Sequence, residues 1–231
     1  MEKLIYSDKM LGDIVADDFR TAEVFKNAGI DFCCGGKKTL KQACEEKALN
    51  LEVIVQQIVE QQTLPISNAQ NFKDWPLDFL CDYIVNFHHK YVFKTLPELV
   101  FYTRKIADVH GDNHPELQEV ANLFGQINSE LLQHLRNEEE ILFPAIKQLL
   151  KHGNDEARNI VKSEITRMNG EHEFAGGAMD KINEITRGYQ VPADGCNTYM
   201  VSFKLLKQFE DDLHIHVHLE NNILFPKTLN L

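Results

Sequence analysis

The sequence predicts an all-α protein, a small N-terminal helical domain followed by an up-down-up-down four-helix bundle. Apolar residues recur at helical spacing through nearly the whole chain, no segment of strand-like alternation competes, and the breaks between long periodic segments carry Gly, Pro, Asn and Asp. Four helices joined by short loops pack most economically as antiparallel neighbours.

The first elements are short. Ile14, Val15, Phe19, Val24 and Phe25, then Leu51, Ile54, Val55, Ile58 and Val59, fall at helical spacing. Asn27-Ala28-Gly29 and Gly35-Gly36 interrupt them, because glycine adopts the backbone angles that end a helix. Gln61 to Pro76, with Pro65, Ser67, Asn68 and Asn71, is polar and turn-forming. The expected domains are therefore 1–62, a linker at 63–76, and a bundle at 77–231. Within the bundle, periodic segments run over roughly 78–109, 115–151, 155–187 and 195–225. Helix stops separate them around 108–115, 152–154 and 188–195, and Pro115 suits the first turn of the helix it opens.

With 231 residues and 43% apolar content the chain can bury a substantial core. A net charge of -11 without clustered Lys or Arg excludes a nucleic-acid groove, while carboxylates in excess are natural ligands for cations. No apolar run approaches the ~20 residues of a membrane span, and the N-terminus lacks the apolar core of a signal peptide. A cytoplasmic protein with no membrane partner is expected. The cysteines, at 33, 34, 44, 81 and 196, are five in number and form no Cys-x-x-Cys pair, which points to reduced thiols rather than a disulfide framework.

The strongest signal is an internal repeat. His134-Leu-Arg-Asn-Glu138-Glu-Glu-Ile-Leu-Phe-Pro144 aligns with His216-Val-His-Leu-Glu220-Asn-Asn-Ile-Leu-Phe-Pro226 at a constant offset of 82. Residues four apart lie on one helical face, so each copy presents an imidazole and a carboxylate together. A lone His-x-x-x-Glu is more often a surface ion pair. Two copies sharing Ile-Leu-Phe-Pro outweigh that reading. Glu130 and Asp212, four residues before each histidine, are candidate acceptors for the other ring N–H of a ligating imidazole.

The partner helices carry histidine too. His89 precedes His134 by 45 residues and His172 precedes His216 by 44, so two helical hairpins offer the same set; His88, at 46, stays open as the alternative. His134, Glu138, His216 and Glu220 with His89 and His172 would supply four imidazoles and two carboxylates to one bundle, a set that suits two iron ions bridged by the carboxylates; zinc stays open, though carboxylate bridges match iron or manganese better. His110, His114 and His152 fall at expected helix ends and read as exposed.

These residues, with Gly29-Ile-Asp-Phe-Cys33-Cys34-Gly-Gly-Lys-Lys-Thr-Leu40, resemble the iron-sulfur cluster repair di-iron proteins, the RIC family, which join an N-terminal ScdA-type domain to a hemerythrin-like domain. The resemblance covers nearly the whole chain. It implies the ligands His89, His134, Glu138, His172, His216 and Glu220, choosing His89 by the register of Leu96-Pro97, and two iron ions that are oxo-bridged when diferric. It also implies repair of iron-sulfur proteins damaged by nitric oxide or oxidants, through iron donation or handling of nitric oxide; nitric oxide reduction at the centre would make the protein an enzyme. The stretch between His134 and His172 is several residues longer than the family pattern, around His152-Gly-Asn154. An oxygen or nitric oxide carrier or sensor of the hemerythrin type is the alternative, but hemerythrins use five histidines and four fall on the repeat.

Cys33-Cys34 is the second chemical feature. Adjacent cysteines close a strained ring on oxidation, so a structural disulfide between them is not expected. Lys37 and Lys38 are expected to favour thiolates, and Gly35-Gly36 leaves room for close approach, so nucleophilic attack, transient metal contact and nitrosyl transfer are open to the pair. The plainer reading is two small residues in a helical core, and the resemblance favours the functional one. An exposed thiol pair and a small domain on a linker make a homodimer a further expectation.

Overall fold

A computed structural model describes residues 6–63 and 71–231, so residues 64–70 of the expected linker lie outside the described residues. Among the described residues the regular structure is helical, apart from one isolated antiparallel bridge between Met10 and Thr39. The all-α expectation holds. In chain order the α-helices are α1 (Leu11–Asp17), α2 (Thr21–Asn27), α3 (Leu40–Glu46), α4 (Leu51–Gln62), α5 (Leu77–Ile84), α6 (Lys90–His110), α7 (Glu116–Asn137), α8 (Phe143–His152), α9 (Asp155–Ile185), α10 (Asn197–Leu219) and α11 (Phe225–Leu229). Among these helices none is long and apolar enough to cross a membrane.

Three of the long expected segments are interrupted by π-helical turns. Val85–His89 joins α5 to α6, Glu138–Leu142 joins α7 to α8, and Glu220–Leu224 joins α10 to α11. The i−5 hydrogen bonds that define them run from Lys90 N–H to Val85 O, from Phe143 N–H to Glu138 O and from Phe225 N–H to Glu220 O. In the two repeat copies the cause is local: Pro144 and Pro226 lack an N–H and their rings crowd the carbonyl four residues back, so the turn before each proline widens.

The chain divides into two compact units, Met1–Leu80 with Ile215–Leu231, and Cys81–His214. In the first, α1, α2, α3 and α4 bury Leu11, Ile14, Val15, Phe25, Leu40 and Ile58. Local chemistry sets their ends. Gly29, at φ 65, ends α2; Thr39 and Gln42 form a reciprocal capping box on α3; Asn50 caps α4 through the Glu52 N–H. The C-terminal Glu220–Leu224 turn belongs to this unit because Asn222 packs on α1 and the Cys34–Lys37 3-10 turn. A Cβ at Gly12 or Gly36 would come within 2.2 or 2.4 Å of the Asn222 Oδ1, so only glycine fits at either point.

In the second unit α6, α7, α9 and most of α10 bury apolar stripes at helical spacing: Leu96, Leu99 and Ile106; Val120, Phe124, Ile127 and Leu131; Val161, Ile165 and Met168; Phe203, Leu206 and Phe209. Phe124 and Phe209 meet edge to face at 5.4 Å. Gly153, at φ 63, closes α8, and Asn154 caps α9 through the Ala157 N–H, as His152-Gly-Asn154 led one to expect.

Candidate metal centre

His89, His134, Glu138 and His172 come together inside the second unit. His134 and Glu138, four apart across the end of α7, set Nε2 3.3 Å from Oε2, and the same Oε2 lies 3.4 Å from His89 Nε2. From α9, His172 brings its Nε2 to 3.1 Å from His134 Nε2. His134, Glu138 and His172 each offer a ligand atom within 4.8 Å of one another. All four side chains are buried, Glu138 completely.

The donor set fits a metal. Two imidazole nitrogens bound at right angles to one ion, each about 2.1 Å from it, lie about 3 Å apart. His134 and His172 stand at that separation. His134 Nδ1 meets the Glu171 carboxylate at 2.7 Å, which draws the ring proton to Nδ1 and leaves Nε2 as a lone-pair donor. His89 Nδ1 meets Glu139 at 2.8 Å in the same way. The hydrogen bond to His134 holds the Glu171 carboxyl below its usual range. The π turn has a part in this. Adjacent residues of a regular helix point about 100° apart, yet Glu138 and Glu139 reach opposite nitrogens of one His89 ring.

These partners differ from the expected ones. Glu130 is exposed, and the carboxylate on His134 is Glu171 from the neighbouring helix; Asp212 meets His88 Nδ1 at 3.0 Å. Rotamers on facing helices decide such pairs, and spacing along one helix does not encode them. His88 and His89 thus separate, with His89 against Glu138 and His88 turned to Asp212. Glu139→Gln and Glu171→Gln are each expected to weaken metal binding by about 10- to 100-fold, measured by competition with a chelator, with helix content unchanged.

In the first unit His216 Nε2 lies 3.3 Å from Glu220 Oε1, the geometry of the His134–Glu138 copy. Two residues further on, Asn222 turns its amide Nδ2 to Phe32 O at 3.1 Å, Cys33 O at 3.3 Å and His218 Nδ1 at 3.1 Å. The turn that carries Glu220 therefore holds the thiol loop directly. His218, lacking a Glu four residues on, had no assigned part; it is fully buried beside Phe32, and burial lowers its pKa to about 3, so it is a neutral imidazole.

Cys33 and Cys34 are free thiols, Sγ to Sγ 3.9 Å. The expected thiolate is not found at Cys33. The Cys34 thiol, burial and the Asp31 carboxylate all push the Cys33 pKa well above its ordinary value. Asp31 Oδ1 accepts from the N–H groups of Cys33 and Cys34 and lies 3.1 Å from the Cys33 thiol, while Lys38 pairs with Glu46 at 2.6 Å. A charged lysine near in sequence does not reach the sulfur.

A different cysteine is activated. Cys196 is exposed at the start of α10, its Sγ 3.1 Å from His110 Nε2; His110 first, then the Tyr199 N–H, lower its pKa to about 7. His110 and His114, expected to be exposed, are half-buried with Tyr199 edge-on to both, whereas His152 is exposed. Relative to a thiol at 9.0, a thiol at about 7 has roughly 50-fold more thiolate at neutral pH but about 10-fold lower intrinsic nucleophilicity, a net gain of about five-fold. Cys196 is expected to react with a disulfide reagent with its rate midpoint near pH 7, and His110→Gln to move that midpoint toward 9, as followed by the pH profile of labelling.

Residues 82–228 match the hemerythrin HHE cation binding domain, and residues 7–62 match ScdA_N, a domain of unknown function. The chain is 35% identical over 226 residues to the iron-sulfur cluster repair protein YtfE of Pectobacterium atrosepticum, covering 98% of this chain and 99% of that protein. It is 30% identical over 225 residues to the iron-sulfur cluster repair protein ScdA of Staphylococcus epidermidis, covering 97% and 99%. The YtfE of Yersinia pseudotuberculosis is 33% identical over 224 residues, covering 97% and 98%.

Proposed function

Because the chain belongs to the family of iron-sulfur cluster repair proteins that join ScdA_N to a hemerythrin HHE domain, we propose that it restores damaged iron-sulfur clusters through a di-iron centre. The residues that would hold it are His89, His134, Glu138, His172, His216 and Glu220, with two iron ions that would be oxo-bridged when diferric. Glu138 carries the reading: its carboxylate is fully buried, with one oxygen at 3.4 and 3.3 Å from the imidazoles of His89 and His134, and such a buried carboxylate beside two imidazoles supports a role for it in holding both ions. The repeated geometry at His216 and Glu220 supports them as the equivalent pair, and both sets fall within the residues matched by the cation binding domain.

Bound there, iron supplies a releasable metal for rebuilding a cluster and a site for nitric oxide. The chain's own residues do the rest. Glu138 and Glu220 offset the metal charge in a dry interior, and Glu139 and Glu171 hold the imidazoles of His89 and His134 in the ligating tautomer. Cys33 and Cys34 assist from the loop that Asn222 fixes to the Glu220 turn. Their client is a damaged iron-sulfur protein.

Protein purified without added metal should hold about two irons per chain and restore activity to an iron-sulfur enzyme inactivated by nitric oxide. Fewer than about one iron per chain, with no other metal, sinks the di-iron reading. Iron lost from the protein in step with recovery marks donation; iron retained while nitric oxide disappears marks handling of the gas. Replacing Cys33 and Cys34 together by serine should keep the iron and slow repair, and an unchanged repair rate removes the thiols from the chemistry.

A further inference from the structure

A second group of ligand-type side chains lies on α9 and α10. Asp180, Glu210 and His214 each offer one ligand atom, all within 4.8 Å of one another. Glu210 and His214 stand four apart on α10, so one helical turn presents both, and Asp180 meets them from α9. Exposure falls across the set, from Asp180 at the surface through half-buried His214 to Glu210, only 6% exposed.

Buried Glu210 is short of positive charge. Its carboxylate accepts from the Asn183 amide, with Nδ2 at 3.1 and 3.0 Å from the two oxygens, and makes no ion pair with Lys or Arg among the described residues. The groups facing it are Asp180 and Asn183 from α9, His214 from its own helix and Tyr189 from the loop after α9. Burial drives its pKa up; His214, Asn183 and Tyr189 oppose the rise and Asp180 adds to it. Tyr189 bears on the same carboxylate. It is 7% exposed and faces Glu210 and Asn183, but its hydroxyl reaches neither at full hydrogen-bonding geometry. Burying both a carboxylate and a phenol with so little compensation is costly unless a further group completes the site.

We propose that Asp180, Glu210 and His214 bind a divalent first-row transition-metal ion, of the Fe(II), Mn(II) or Zn(II) class, at a site separate from His89, His134, Glu138 and His172. Two carboxylates and one imidazole make a mixed oxygen and nitrogen donor set that such ions accept. The ion provides the charge that Glu210 lacks. Asp180, at the surface, gives the ion a way in and out, so this is an exchangeable site. The proposal does not depend on the di-iron reading.

The test is titration of the purified full-length protein with Mn(II), following the free ion by electron paramagnetic resonance. One saturable site per chain beyond the resident metal, of micromolar affinity, is expected. Glu210→Gln should abolish it, and Asp180→Asn, a surface change that leaves the fold intact, should weaken it about 10-fold or more. Glu138→Ala should retain the Glu210-dependent ion, so the two metal proposals fail separately. No Mn(II) bound beyond the resident metal, or binding unchanged by Glu210→Gln, overturns the proposal.

Discussion

Glu138→Ala is expected to empty the metal centre. Its Oε2 lies 3.4 and 3.3 Å from the Nε2 atoms of His89 and His134, so on the proposed di-iron reading one substitution would remove a donor close to both imidazoles and weaken binding by more than about 100-fold, or ~3 kcal/mol. The rival reading, a buried Glu138–His134 ion pair with no metal, makes an opposite forecast for the metal-free protein. Breaking such a pair costs about 3–5 kcal/mol, because one charge is left buried alone. If Glu138 exists to hold metal, alanine instead relieves the metal-free protein of a buried carboxylate. Thermal melts with and without chelator decide: destabilisation seen only without chelator supports the metal centre, and equal destabilisation in both supports the ion pair.

His89→Ala and His88→Ala should differ sharply although the residues are adjacent and both buried. His89 sits against Glu138 and is held by Glu139, so its loss should release most of the iron. His88 meets Asp212, and its loss should cost about 1 kcal/mol of stability while the iron stays. Iron per chain, with the diferric absorption of each variant, is the measurement. Equal iron loss from both would mean that the turn cannot tolerate alanine at either position, whichever imidazole faces Glu138.

Much of this was legible in the sequence because it is written in periods. Apolar spacing marks the long helices, Gly29 and Gly153 mark helix ends, and the offset of 82 places His134 with Glu138 and His216 with Glu220 on matching faces. What stayed hidden depends on geometry between helices. Glu139 and Glu171, not Glu130, meet the imidazoles; the Cys34 thiol and burial, with Asp31 behind them, suppress the Cys33 thiolate expected from the neighbouring lysines; His110 activates Cys196 across 86 residues. The π turns had a visible sign in Phe143-Pro144 and Phe225-Pro226, prolines inside an otherwise helical pattern. The turn at His89 has none so close, and Pro97 lies eight residues on.

The extra residue in each π turn makes the chain sensitive to length as well as to side-chain identity. Deleting one residue between Glu138 and Leu142 would restore ordinary α-helical hydrogen bonding, and by local criteria the helix would improve. Everything downstream would rotate by about 100°, so Phe143, Ile146 and Leu149 would leave the face they now bury and the phase between α7 and α8 would be lost. Deleting Glu140 alone would spare every proposed ligand and every hydrophobic side chain in composition, yet be harsher than most substitutions. The spacing within a copy of the repeat, from Glu138 across the turn to Phe143, is thus a structural dimension, with a tolerance of less than one residue.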